Sequence, residues 1–143
     1  MEPGRINFFS ETNFKLENKE VFFKWLIAVI QSEMKLAGEI NYIFCDDDYL
    51  HKLNEEYLGH DTYTDIISFD NGVGNTIHGD IYISIDRVQE NAEIYKHDFE
   101  QELKRVMVHG ILHFCGYKDK TEREQEIMRQ KEDEKLEMFH VEQ

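Results

Sequence analysis

The residues best able to do chemistry lie together in His109-Gly110-Ile111-Leu112-His113-Phe114-Cys115-Gly116-Tyr117-Lys118-Asp119. Two histidines four positions apart on a helix project from one face, where their rings can share a metal ion. Gly116 supplies a left-handed residue that stops the helix and turns the chain back, bringing Asp119 to the same point from a loop. Two imidazoles and a carboxylate make a three-ligand set for one zinc ion and leave the fourth tetrahedral position open, the mark of a catalytic rather than a structural site. Taken singly, each histidine would read as a polar residue of an amphipathic helix. The helical pair, the helix-ending Gly and the third ligand together argue for His109, His113 and Asp119 as the metal ligands. Cys115 points away from the histidine face and is expected to pack in the core.

The same spacing occurs in zinc peptidases, which carry a Glu directly after the first His as general base. That position is Gly110 here, so peptide hydrolysis by that route lacks its base. The run Asp46-Asp47-Asp48 invites a second metal reading, but capping and charge at a helix N-terminus explain it. Asp61 and Asp65 could orient a ligand histidine through hydrogen bonds from a loop between strands, although Asp65 also suits a plain turn cap.

Around these residues the apolar spacing marks out the elements that must position them. Ile6–Ser10 reads as a strand, Asn18–Ala37 as a helix ended by Gly38, and Ile40–Cys45 as a β-branched and aromatic strand. The Asp46 run caps a short helix reaching Tyr57. Asp65–Phe69 and Asp80–Ile85 read as strands on either side of the turn-rich Asp70–Gly79. Asp86 is expected to cap a helix carrying Val88, Ala92 and Tyr95. Asp98 caps the next, whose apolar set runs from Leu103 to Phe114. Thr121 with Glu124 forms a capping box for a charged last helix to about Phe139, with Ile127, Met128 and Leu136 inward. The expected fold is α/β (α+β): a single domain over residues 1–143 with a mostly contiguous sheet of about four strands, helices packed on it, and the metal site on a helix and the loop after it.

Composition sets outer bounds. The 143 residues, 41% hydrophobic and with one Pro, suit one globular domain. Apolar stretches such as Val21–Ile30 are too short to span a bilayer, Met1–Phe9 lacks a secretory pattern, and two cysteines are few for an oxidising compartment. A cytoplasmic location without membrane attachment is therefore expected. A net charge of −14 argues against non-specific affinity for RNA or DNA. By itself it points to a protein or small-molecule partner.

The segment His109–Asp119, with its His-Gly-x-Leu-His and Gly-Tyr, resembles the signature of the YbeY family of zinc-dependent endoribonucleases in bacterial rRNA maturation. Other pieces agree in order: Leu53-Asn54 with Tyr57, Asp61 with Thr64-Asp65, Ser68-Phe69, Gly79-Asp80-Ile81 with Ile83-Ser84, Glu102-Leu103, and Met128. The resemblance spans roughly residues 40–128. It implies one zinc ion, a single-stranded RNA substrate, 16S rRNA 3′-end maturation, late-stage 70S ribosome quality control, and the ribosome or its proteins as partners, with no role on DNA. Two departures stand out. The family usually has His where this chain has Asp119, and Asp where it has Lys118. Its Arg after the tyrosine of the Leu-Asn block is Leu58 here, so another cation must meet a phosphate, with His60 and Lys118 nearest in sequence. Tyr63 and Tyr117 are candidate base-stacking rings, and His78 a further candidate for the cleft.

Two rival readings follow from the same residues: another zinc metallohydrolase (a peptidase or phosphatase), or a non-enzymatic ribosome assembly factor stapled by its metal. Half of all Lys and Arg, 8 of 16, lie in residues 101–143 with the expected ligands, so the acidic average hides a less acidic site. Without a broad basic surface, affinity for free RNA is expected to be weak, with substrate presented by the ribosome or a bound protein.

Overall fold

Strand β4 (Thr76–Ser84) explains the centre of the molecule, because Ile77, Ile81 and Ile83 are buried while Asp80 and Tyr82 alternate to the other face. In the computed structural model, which describes residues 4–141 except residue 61 and the side chains of residues 140 and 141, β4 pairs on both edges. It is parallel to β2 (Leu36–Cys45), which is parallel to β1 (Arg5–Ser10) on the far side. On the near side it meets β3 (Ile66–Asp70) antiparallel, giving the order β1-β2-β4-β3. The edge strand β3 thus borders whatever lies beyond the sheet.

Helices α1 (Lys19–Ser32), α4 (Phe99–Phe114) and α5 (Glu122–Val141) build the main core on one face of this sheet. Tyr42, fully buried on β2, donates its hydroxyl to the Met107 carbonyl of α4 at 2.7 Å, and Gly110 of α4 rests on Ile81 and Ile66. Phe22, Trp25 and Phe139 join α1 to α5, and the Trp25 indole donates to the Lys135 carbonyl at 2.8 Å. The opposite face is covered by α2 (Asp47–Leu53), which buries Leu50 against Cys45 and Ile67. A π-helical turn, Asn54–Leu58, extends it. There the buried Asn54 amide donates to the Thr62 carbonyl at 2.9 Å and holds the loop leading to Asp65. Helix α3 (Ile85–Tyr95) follows β4 directly.

The expected α+β architecture with four strands is what forms, with local corrections. Helix α1 stops at Ser32, well before Gly38: Met34 adopts a left-handed backbone with φ 61°. Leu36 and Ala37 are drawn into β2 by pairing with Thr76 and Ile77. Gly38 is instead a strand residue under the His78 ring, which a Cβ there would strike. The turn between β3 and β4 is shorter than expected because β4 begins at Thr76. Ser84, not Asp86, caps α3, accepting from the Arg87 amide at 3.2 Å, while the Asp86 carboxylate accepts from the Asp47 amide. Asp46, Asp98 and the Thr121–Glu124 box cap as expected.

Gly79 allows the end of α4 to approach β4, since a Cβ there would collide with the Phe69 carbonyl oxygen and the Phe114 ring. Gly79→Ala is expected to lower stability by about 1–3 kcal/mol. Urea unfolding of the variant in the presence of chelator measures this.

Candidate metal centre

Helix α4 carries His109 and His113 on the face turned away from the sheet, and the chain leaves it through Gly116, whose φ is 105°. The amides of Gly116 and Tyr117 close this end by donating to the His113 and Leu112 carbonyls at 3.0 and 3.1 Å. Asp119 then folds back. Its Oδ2 lies 3.2 Å from Nε2 of His109 and 3.2 Å from Nε2 of His113, and the two Nε2 atoms are 2.9 Å apart. Gln125 on α5 fixes this loop by donating to the Asp119 carbonyl at 3.1 Å.

The tautomers follow from what the other ring nitrogens meet. His109 Nδ1 faces Glu132 Oε2 at 2.6 Å, and His113 Nδ1 faces the Tyr117 carbonyl at 3.0 Å. Both partners accept, so both Nδ1 atoms carry a hydrogen, and in the neutral ring that leaves Nε2 with the lone pair a metal needs. In the neutral rings both Nε2 lone pairs and the Asp119 carboxylate then converge on one point, a donor set that suits a cation. Zinc–nitrogen distances of about 2.0–2.1 Å put tetrahedral ligand atoms about 3.4 Å apart, so a small outward movement accommodates the ion. The group could hold a metal ion.

Glu132 was not legible as a site residue. It is only 6% exposed on α5 and also receives Arg105 at 2.8 Å, while Arg105 reaches Asp133 at 2.7 Å. Burial acts to lower the pKa of His109, but the Glu132 hydrogen bond and charge, with Asp119 and Asp65 behind them, outweigh it and hold it above the ordinary value. A second anchor runs through Tyr117. Its hydroxyl donates to Glu33 at 2.7 Å, and Glu33 meets Lys135, 2% exposed, at 2.8 Å. Desolvation opposes ionisation of Glu33, yet hydrogen bonds from Lys135 and Tyr117 keep it below the usual carboxylate range.

A cavity of about 400 Å³ opens over the cluster. Thr64, Asp65, Ile66 and Ser68 at β3 form one wall, Asn91 and Tyr95 of α3 another, and Glu102, Arg105, Arg129 and Glu132 complete it. Burial pushes the Asp65 carboxyl up, against the His109 charge that favours ionisation. Glu102 is likewise raised, first by burial, with Asp65 and Glu132 adding and His97 and Arg105 opposing.

Of the other residues singled out in the sequence, Asp65 lines the cavity with the three expected ligands, whereas His60 and Lys118 are exposed outside it. Asp61 lies outside the described residues. His78 accepts from the Glu39 amide at 3.0 Å and does not reach the cleft. Tyr63 stacks on His51 at 4.4 Å, and Tyr117 is spent on Glu33. The ring that borders the cavity is Tyr95 instead, 58% exposed. Gly110 faces Ile81 and Ile66, so the position that carries the general-base Glu of a zinc peptidase packs tightly on the sheet here. Burial pushes the thiols of Cys45 and Cys115 up to about 12 and about 11, so neither offers a thiolate. No helix among the described residues is long and apolar enough to cross a membrane.

Fold and site together define an α+β protein with a metal-competent His-His-Asp cluster at the floor of an open cleft. Residues 5–140 match the family model described as Endoribonuclease YbeY, and the chain belongs to that family. Relatives named Endoribonuclease YbeY include those of Christiangramia forsetii, 64% identical with all of both chains covered, and of Flavobacterium johnsoniae, 64% identical over 96% of this chain and 99% of that one. The solution structure of TM1509 from Thermotoga maritima superimposes with a TM-score of 0.69 at 26% identity, covering 96% of this chain and 90% of that one.

Removing the Glu132 charge while keeping a hydrogen-bonding group, Glu132→Gln, is expected to weaken zinc binding roughly 10–100-fold, read by chelator competition. For Glu102 the raised pKa means that the protonated form is favoured on folding. Its stabilising contribution is present below the unfolded carboxyl value and lost as pH rises through the folded one. Glu102→Gln is therefore expected to melt higher than the parent at neutral pH in metal-free buffer, with the difference shrinking toward pH 4. A parent protein that melts higher at both ends of the range would contradict this.

Proposed function

We propose that the protein is a single-strand-specific zinc endoribonuclease acting in 16S rRNA 3′-end maturation and late-stage 70S ribosome quality control, with His109, His113 and Asp119 holding one zinc ion. Its residues 1–143 form a single domain for that activity, working in the cytoplasm on the ribosome or through ribosomal proteins, and not on DNA or membranes. The observation that carries this reading is the convergence of three potential ligand atoms, from His109, His113 and Asp119, in the lining of an open cavity. Membership of the endoribonuclease family supports RNA as the substrate.

When bound, a zinc ion would acidify water and polarise a phosphoryl oxygen, so no nucleophilic Ser or Cys is needed. The protein's own groups supply the rest. Glu132 and the Tyr117 carbonyl fix the two imidazoles in the tautomer and orientation that ligation needs. Asp65 and Glu102, raised by burial, stand in the cavity where they can take or release a proton. Tyr95 offers an unpaired base a face to stack on. Asp119 in place of a third imidazole would add negative charge among the ligands and lower the Lewis acidity of a bound ion.

Incubating zinc-loaded protein with single-stranded RNA, a peptide mixture and an aryl phosphate tests the reading. RNA alone is expected to be cut, and His113→Ala is expected to stay folded while losing both bound zinc and cleavage. Peptide cleavage without RNA cleavage would overturn it.

A further inference from the structure

We propose that Arg129 is the phosphate-binding cation of this cleft, gripping the RNA backbone beside the ligand cluster; the assignment rests on the nuclease reading above. Beside the main cavity lies a second, of about 330 Å³, lined by Gln125 and Met128 of α5. The two cavities share four side chains, His109, Asp119, Arg129 and Glu132, and Arg129 is the one permanent cation among them. A strand running from one cavity to the other crosses the ligand cluster and passes Arg129.

The surroundings give that side chain no competing task. The main cavity carries four carboxyl groups, Asp65, Glu102, Asp119 and Glu132, a field that repels a phosphodiester. Arg105, the other arginine there, is held at 2.8 Å by Glu132 and at 2.7 Å by Asp133, and its Nε is buried. Arg87 is similarly held by Asp47 at 3.1 Å. Arg129 is exposed and makes no ion pair or hydrogen bond among the described residues. Its guanidinium fork can bind two phosphate oxygens at once, which an ammonium cannot match. His60 and Lys118, nearest in sequence to the missing cation, are replaced in this role by a residue of the last helix.

The test compares the parent with Arg129→Ala, Arg129→Lys and, as a control, Arg123→Ala, which removes an exposed α5 arginine paired with Glu126 outside both cavities. Zinc content and melting temperature are measured for each. Binding of a non-cleavable 2′-O-methyl single strand is followed across a salt series, and kcat and KM are measured on cleavable RNA.

Arg129→Ala is expected to make the slope of log Kd against log salt shallower by about 0.7, one phosphate contact on a single strand, and to lower kcat/KM roughly tenfold or more. Arg129→Lys should restore the slope but only part of kcat/KM, and Arg123→Ala should match the parent. A parent-like slope and kcat/KM in a folded, zinc-bearing Arg129→Ala overturns the assignment alone. A parent that binds the strand with an Arg129-dependent slope yet cuts no RNA sinks the nuclease reading and leaves the phosphate contact standing. A parent that neither binds nor cuts sinks both.

Discussion

Three potential ligand atoms, two imidazole Nε2 and a carboxylate oxygen, are held about 3 Å apart, and the surrounding architecture fixes that convergence. A flip of either ring would carry its Nε2 out of the group. What prevents it is an acceptor behind each ring: Glu132 for His109 and the Tyr117 carbonyl for His113. Glu132 belongs to α5 and Tyr117 to the turn after α4, so the site is complete only when α5 is docked. That docking is itself polar at its centre, through Trp25 to the Lys135 carbonyl and Lys135 to Glu33. Removing one member of such a buried ion pair costs more than the pair contributes, which makes the contact a determinant of geometry more than of stability.

How much of this could be read in the sequence depends on the range over which each signal acts. The His109–His113 spacing, the turn at Gly116 and the Thr121–Glu124 box are local, and the helices form where those residues place them. Helix α1 ended early for a reason lying 40 residues away, since Leu36 and Ala37 are claimed by Thr76 and Ile77. Glu132 was missed for a related reason. In a helix crowded with charge, a glutamate reads as solvated, yet Met128, Glu132, Lys135 and Phe139 follow helical spacing along one buried face. That stripe was the available signal. Its meaning became visible only with Arg105, Glu33 and His109 set against it.

Electrostatics ties the site to the acidic composition. The net charge of −14 describes the surface average, whereas a substrate anion responds to the few charges within a Debye length of the cleft. Those charges are mostly negative and mostly committed. Arg105 is spent on Glu132 and Asp133, so the cavity holds less free positive charge than its arginine count suggests. Burial offsets part of this by favouring the neutral forms of Asp65 and Glu102.

Asp119 sharpens the consequence. With neutral imidazoles alone, a divalent ion would present nearly its whole charge to a phosphate. Here Asp119 stands beside the two imidazoles and Glu132 behind His109, two carboxylates whose formal charge would match that of a divalent ion. The field left for a phosphodiester at a loaded cluster would then be close to neutral, and attraction would have to come from a charge the carboxylates have not claimed. An unpaired arginine one turn before Glu132, on the helix that orients the first ligand, meets that need. Asp119 and the free arginine would thus be two sides of one balance: the first lowers the pull of the metal position on phosphate, and the second restores it from the wall of the same cavities.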